Sequence, residues 1–168
     1  MKAHAKLTAL LLALTVLAIS SCQSTGEAAE AAPAMAAAAT ADFSTAISRY
    51  WILSEIRAAE IVVLDRAAHA DTFGDIFTMR FEEAMVYGMA MPNTFRGPYT
   101  LGQGQEITFG PMATTMMAAF MEPEEITEHV FLTYLYNVFG WNIAYDNFEL
   151  HTTSGDGAVV VLVFVPLE

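Results

Sequence analysis

The fold is decided by residues 123–165, which read PEEITEHVFLTYLYNVFGWNIAYDNFELHTTSGDGAVVVLVFV. The first part of this stretch predicts one helix, because Pro123 suits a first helical turn, the neighbouring glutamates complement the positive helix end, and Gly140 suits a C-terminal cap. The apolar residues that recur with helical spacing are Ile126, Val130, Tyr134, Leu135 and Val138. This spacing indicates an amphipathic helix with one face turned towards a core.

Three strands are predicted after this helix. They lie at residues 141–145, 148–152 and 158–165, and the turn-forming residues Asp146-Asn147 and 154–157 (SGDG) separate them. The last strand contains the run AVVVLVFV, which is apolar on both faces. We therefore expect this strand in the interior of a sheet.

Further strand signals precede the helix. They form three pairs, at residues 51–57 with 61–64, 76–81 with 85–88, and 97–101 with 105–109. Strands and helices do not alternate as they do in a parallel α/β fold. The prediction is an α+β domain: a twisted, mostly antiparallel, partly open barrel-like sheet packed on one amphipathic helix.

The first 22 residues carry a targeting pattern. Lys2 and Lys6 precede an uncharged run at residues 7–19, whose helical length of about 20 Å is short of the roughly 30 Å of a membrane core. Such a run is typical of a secretory signal. Residues 19–22 (ISSC) resemble the bacterial lipobox, which implies cleavage before Cys22 and acylation of its thiol and of the new amino terminus. The alternative is an ordinary secretory signal that contains a cysteine by chance.

These features divide the chain into three parts. We predict a lipoprotein signal peptide at residues 1–21, a lipidated cysteine with an alanine-rich tether at 22–44, and one domain at 45–168. An aspartate after the cysteine would resemble an inner-membrane retention signal, and Gln23 stands there instead. The predicted location is therefore the bacterial outer membrane, with the domain in the periplasm or on the cell surface. The membrane is the expected partner, through the lipid anchor.

Composition excludes several classes of protein. The 168 residues include 7 basic and 19 acidic side chains, for a formal net charge of −12, and so few cations cannot build a face for nucleic-acid phosphates. Cys22 is the single cysteine, which rules out an intrachain disulfide and a cysteine-based zinc site. No Gly-x-Ser-x-Gly or His-Glu-x-x-His motif is present. We predict no catalytic residues, no enzyme activity and no cofactor.

A family resemblance lies in residues 88–99, GMAMPNTFRGPY. They resemble the signature of the META domain, Gly-x-x-Gly-Cys-Asn-x-aromatic-x-Gly-x-Tyr, in the family of HslJ-type heat-inducible outer-membrane lipoproteins. The order around the signature also agrees, with Trp51-x-Leu53 before it and Phe109-Gly110-Pro111 and residues 113–118 (ATTMMA) after it. The resemblance covers most of the predicted domain.

The positions carried over from the family motifs are Trp51, Gly88, Asn93, Gly97, Tyr99, Gly110, Pro111, Thr115 and Met117. We expect them to be structural, because glycine and asparagine at such positions serve positive-φ conformations or turn hydrogen bonds. Met117 falls on a core position of the family. Two family cysteines fall on Pro92 and Ala119 here, so thiol functions of the family are excluded.

Two patterns in the sequence suit a metal ion, but each has a simpler explanation, and we predict no metal site. Glu125 and His129 lie four residues apart on the predicted helix, a spacing able to hold one ion, although a solvated helix face explains the pair more simply. Eight of the ten methionines lie between Met79 and Met121. Thioethers suit Cu(I), whereas an irregular core or an apolar groove explains them without a metal.

The sequence therefore predicts a lipid-anchored, non-enzymatic bacterial envelope protein. The resemblance implies a role in envelope stress tolerance or outer-membrane maintenance. The alternative is a partner-binding lipoprotein of the pilot or escort type, because META domains are similar in fold to pilot lipoproteins and a methionine-lined groove suits a partner helix. A methionine-based copper-binding protein is the third possibility, and the sequence does not identify a protein partner.

Overall fold

The protein was analysed as a computed structural model, which describes residues 43–47, 49–59, 61–68, 71, 74–118 and 125–168. Its strands are β1 (Tyr50–Ala58), β2 (Ile61–Asp65), β3 (Phe77–Glu82), β4 (Met85–Ala90), β5 (Asn93–Leu101), β6 (Ile107–Phe109), β7 (Ala113–Thr114), β8 (Gly140–Ala144), β9 (Asn147–Thr153) and β10 (Val159–Pro166). Its helices are a helical turn at 43–47, a 3-10 turn at Arg66–Ala68 and the helix α1 (Glu128–Tyr136). The signal peptide and nearly all of the tether lie outside the described residues.

The strands form one antiparallel sheet in the order β6-β5-β4-β3-β1-β10-β9-β8, with β2 paired to β1 and β7 to β5. The two ends of this order approach each other, since the Trp141 amide donates to the Gln105 carbonyl at 2.9 Å and Glu106 forms a bridge with Gly140. The sheet is therefore a nearly closed barrel. The predicted α+β class and the mostly antiparallel, barrel-like sheet are confirmed.

The strand β10 lies between β1 and β9. Its residues Val160, Leu162, Val163 and Phe164 are all buried, as expected for a strand that has neighbours on both edges and apolar side chains on both faces. The predicted interior position of this strand is confirmed.

One end of the barrel is filled by the helical turn at 43–47. The Phe43 ring lies 4.9 Å from the Trp141 ring and 5.1 Å from the Phe81 ring, and it is 1% exposed. The Trp51 indole donates a hydrogen bond to the Ala46 carbonyl at 2.9 Å, which fastens the turn to β1. Phe43, which the prediction assigned to the tether, thus belongs to the hydrophobic core.

The helix α1 covers another part of the core with Phe131 and Leu135. The Phe131 ring lies 4.9 Å from the Phe77 ring and 6.0 Å from the Phe95 ring. Of the apolar face predicted from sequence, Ile126, Leu135 and Val138 are buried, whereas Val130 and Tyr134 are half-buried.

The predicted ends of the helix need correction. The N-cap is Thr127, whose hydroxyl accepts from the Val130 amide at 3.3 Å, and this bond satisfies an amide that the first turn leaves free. The predicted start at Pro123 lies outside the described residues. Gly140 is the first residue of β8 and not a cap, because the Phe139 amide already donates to His151 of β9. No helix in the described part of the chain has the length and apolarity that a membrane crossing requires.

Candidate functional site

Asn93 is the centre of a hydrogen-bonded node at the start of β5, and it is 4% exposed. Its Oδ1 accepts from the Met117 amide at 2.7 Å and from the Thr115 hydroxyl at 2.8 Å. Its Nδ2 donates to the Met117 carbonyl at 3.0 Å and to a Glu128 carboxylate oxygen at 2.7 Å. Two acceptor sites and two N–H groups are the full capacity of an asparagine side chain. Asn93 therefore joins three separate segments and has no group left for a ligand.

Thr115 and Met117 belong to the same node. The Thr115 hydroxyl also accepts from the Thr94 amide at 3.1 Å, and the Thr115 amide donates to the Thr94 carbonyl at 3.1 Å. Met117 takes part through its backbone only, because its side chain is 59% exposed. The expectation that Met117 lies in the core is wrong: the node needs the Met117 amide and carbonyl, not its thioether.

Gly88 is required by a close approach of neighbouring groups. A Cβ at this position would lie 2.1 Å from the Thr78 carbonyl oxygen and 2.3 Å from the edge of the Phe95 ring. Backbone cannot move away as a flexible side chain can, so any larger residue would force β3 and β4 apart.

Gly97 and Gly110 are also explained by close contacts. A Cβ on Gly97 would lie 3.1 Å from the Pro111 carbonyl oxygen, and one on Gly110 would lie 2.7 Å from Pro98. The Gly110 amide donates to the Pro98 carbonyl at 2.8 Å, while Pro111 itself is exposed. Neither these glycines nor Gly88 adopts a positive φ, so the expected positive-φ role does not hold at any of the three.

Trp51 and Tyr99 lie inside the barrel near Phe43. Trp51 is fully buried, and the Tyr99 hydroxyl donates to the Glu82 carbonyl at 3.2 Å. Burial raises the pKa of the Tyr99 phenol above its ordinary value. The motif residues thus divide into the Asn93 node, contacts between strands, and the core around Phe43.

Two metal hypotheses concern the pair Glu125 and His129 and the methionines. Glu125 precedes the N-cap, so it and His129 are not four apart on one helix. In the part of the chain that the structure describes, no group of three or more His, Cys, Asp or Glu side chains is placed to hold a metal ion. The methionines differ in surroundings, since Met79 is 1% exposed and Met116 is 98% exposed.

A groove of about 680 Å³ opens on the outer face of β1, β3, β4, β5 and β7. Its centre is a row of side chains from four adjacent strands in register: Tyr50, Arg80, Tyr87 and Arg96. The Arg80 guanidinium lies 5.4 Å from the Tyr50 ring centre and 5.0 Å from the Tyr87 ring centre, which are cation–π distances. Met89 and the hydroxyl-bearing Thr94 also line the groove.

The groove carries positive charge without carboxylates. Its lining includes two arginines and no acidic residue. Arg80 forms an ion pair with Glu82, whereas no ion pair is formed by Arg96 within the described ranges.

No sequence motif pointed to this row, although a signal for it exists in the spacing of its residues. The two-residue turn at 83–84 places Arg80 opposite Tyr87, and the turn at 91–92, which contains a cis Met91–Pro92 peptide, places Tyr87 opposite Arg96. Tight hairpins fix register, so the alignment of these three residues follows from recognising the two turns.

A nearly closed antiparallel barrel, covered by one helix and fastened by a buried asparagine, defines a small α+β domain. The family model of the META domain matches residues 44–164, and the chain belongs to the META domain family. This confirms the META domain expected from the motifs.

Two solved structures are similar in fold. One is the NMR structure of a protein from Burkholderia xenovorans, with a TM-score of 0.54 and 19% identity over 76% of this chain and 87% of that chain. The other is the crystal structure of a DUF4847 family protein from Bacteroides vulgatus, with a TM-score of 0.52 and 14% identity over 74% of this chain and 96% of that chain. At these identities the likeness concerns the fold alone. Among the curated proteins, none matches this chain.

Proposed function

We propose that this chain is a lipid-anchored bacterial envelope protein whose META domain acts by non-covalent binding and not by catalysis. Its role would be HslJ-like, in envelope stress tolerance or outer-membrane maintenance. The anchor is supported by the sequence around Cys22, the only cysteine, which follows an uncharged run of signal-peptide length.

The observation that carries the binding role is the saturation of the Asn93 node. In an enzyme, polar side chains of a family motif commonly converge on a cleft and keep free groups for substrate. Here the Asn93 amide and the Thr115 hydroxyl make their hydrogen bonds within the domain. The open feature described above is the groove on the outer face, which a partner can reach.

The anchor is tested by the substitution Cys22→Ala in cells that are labelled with palmitate. We expect the wild-type chain to incorporate label and to fractionate with the outer membrane, and the variant to incorporate none, because the acylated thiol is gone. The control Ser21→Ala keeps a small residue before the cysteine and should be labelled normally. Palmitate incorporation by the Cys22→Ala chain would contradict the proposal.

The stress role needs a separate experiment. A strain that lacks the gene should lose viability under heat or detergent stress, and the wild-type gene should restore it while the Cys22→Ala gene does not. Full restoration by the Cys22→Ala gene would show that the domain acts without an anchor.

A second candidate function is that of an escort for an outer-membrane assembly, and the groove favours it. A groove of about 680 Å³ with Tyr50, Tyr87 and Met89 among its lining residues can hold apolar parts of a partner. Crosslinking in intact cells distinguishes the two candidates: one stoichiometric outer-membrane partner supports the escort function, and a stress phenotype with no such partner supports the first.

A further inference from the structure

Arg96 is an unusual residue for a chain of this composition. Acidic side chains outnumber basic ones 19 to 7, and Arg49, Arg57, Arg66 and Arg80 each have a carboxylate within ion-pair distance. Arg96 has none within the described ranges, although it is exposed on the middle of β5. Among the described residues no carboxylate neutralises this guanidinium, which leaves it open to an anionic ligand on this face.

The surroundings of Arg96 suit an anionic group that is attached to an apolar one. Its register neighbours are Tyr87 on β4 and Ala113 on β7, and the short Ala113 side chain leaves space beside the guanidinium. Arg80 lies two strands away from Arg96, which corresponds to about 10 Å at the usual spacing of strands. Its guanidinium already contacts the Glu82 carboxylate and the rings of Tyr50 and Tyr87. In the described part of the chain, the groove therefore presents the Arg96 guanidinium, which has no ion pair there, beside the Tyr87 ring.

We propose that this groove binds an extended acidic segment of a partner protein, with a carboxylate on Arg96 and a neighbouring apolar side chain against Tyr87 and Met89. Arginine presents a planar fork that matches a carboxylate, which makes a single arginine sufficient for recognition. The inference rests on the proposed binding role of the domain and is independent of the lipid anchor.

An anionic membrane surface fits these observations less well. Adhesion to anionic lipids relies on clusters of basic residues, each of which adds a small increment. Among its described residues this face offers one arginine without an ion pair, on a chain whose net charge of −12 opposes approach to a negative surface. A contact between Arg96 and one carboxylate inside the groove is short-ranged, so it can form despite the net negative charge of the chain.

The test uses the full chain, purified in a non-ionic detergent. Peptides are selected on it from a random twelve-residue phage library, and the affinity of the best peptide is measured for the wild type and for Arg96→Gln. We expect selected peptides to share an Asp or Glu next to an apolar residue, and we expect Arg96→Gln to weaken binding about 10- to 100-fold. The matched control is Arg49→Gln, which removes an exposed arginine that is paired with Asp146 and should leave the affinity unchanged.

A paired substitution locates the contact. Changing the acidic residue of the peptide to its amide should cause the same loss on the wild-type chain and no further loss on Arg96→Gln. Selected peptides without acidic residues, or equal affinity of the wild type and Arg96→Gln, would overturn the proposal. Saturable binding of dihexanoyl phosphatidylglycerol that is lost in Arg96→Gln, with no acidic peptide selected, would overturn it in favour of a lipid headgroup. Failure of the Cys22 labelling experiment would leave these results unaffected.

Discussion

The two faces of strands β3, β4 and β5 are built from alternating residues of the same segments, yet they differ in burial and in charge. The inner face carries Phe81 and Phe95, whose rings pack against other aromatic rings. The outer face carries Arg80, Tyr87 and Arg96, which lie in one row across the strands. A shift of one residue along a strand thus separates the core from the groove.

This difference indicates which residues maintain the domain and which are free to interact. Truncating an inner side chain removes stabilising contacts and leaves a cavity, because the close-packed interior cannot rearrange enough to fill it. Outer residues contribute little to stability, so the identity of their side chains can be determined by what the face binds. The family motif follows the first rule, since Trp51, Gly88, Asn93 and Tyr99 all have contacts within the fold.

The largest effect is expected for Phe81→Ala on the inner face. The Phe81 ring lies between 5.1 and 5.3 Å from the rings of Phe43, Tyr99 and Phe148. Removing it from a closed barrel should lower the free energy of unfolding by about 3–5 kcal/mol, measured by urea denaturation. Because such a variant can fail to fold, Phe81→Leu serves as the milder change and should lower the free energy by about 1–2 kcal/mol. Arg96→Gln is the outer-face control. If it lowered the free energy of unfolding as much as Phe81→Leu does, the division between the faces would be refuted.

An intermediate effect is expected for Asn93→Ala, which breaks the node and leaves the aromatic core in place. The Met117 amide and carbonyl and the Glu128 carboxylate each lose a hydrogen bond. We expect the free energy of unfolding to fall by about 2–3 kcal/mol. The Met117 amide should also exchange with solvent faster than in the wild type, because it loses its hydrogen bond to the Asn93 side chain.

The control for this prediction is Thr94→Ala. Thr94 contacts the same segment through its backbone amide and carbonyl, which the substitution retains. Its unfolding free energy and the exchange rate of Met117 should stay close to the wild-type values. If the Met117 amide exchanged with solvent at the wild-type rate in Asn93→Ala, segment 115–117 would be held by other contacts.

The sequence was a good guide to the elements and a poor guide to contacts between distant residues. Strand signals such as AVVVLVFV depend on local composition, and they led to the correct class and to the central position of β10. The start of α1 was misplaced because Pro123 and its glutamates form a helix-start signal, while Thr127 supplies the cap. Gly140 was misread because pairing with β9 draws it into a strand. The strand position of Gly140 depends on a partner elsewhere in the chain, whereas the Thr127 cap is a local contact with Val130.

The candidate site shows the same limit. Asn93 and Thr115 were identified through the motif, but the hydrogen bond between them spans 22 residues, the one from Asn93 to Glu128 spans 35, and neither carries a local signal. The role of Phe43 as a core residue was missed, because the alanine-rich segment before it contains few side chains able to pack. The groove was missed because its lining comes from five strands, and the local signal for the register of its central row lies in two tight turns.

The smallest effect is expected for Tyr87→Leu on the outer face, and it sharpens the comparison most. Tyr87 and Phe81 are both aromatic, but the Tyr87 ring contacts a guanidinium at 5.0 Å whereas the Phe81 ring lies in the core. Losing one exposed cation–π contact should lower the free energy of unfolding by about 0.5–1 kcal/mol. Tyr87→Phe keeps the ring and should lower the free energy of unfolding less than Tyr87→Leu does. In a double-mutant cycle with Arg80→Gln, the coupling should be about 0.5 kcal/mol; zero coupling would mean that Arg80 and Tyr87 are neighbours without an energetic link. A loss of several kcal/mol in Tyr87→Leu would instead place Tyr87 with the inner residues and remove the basis for treating the outer row as a surface for recognition.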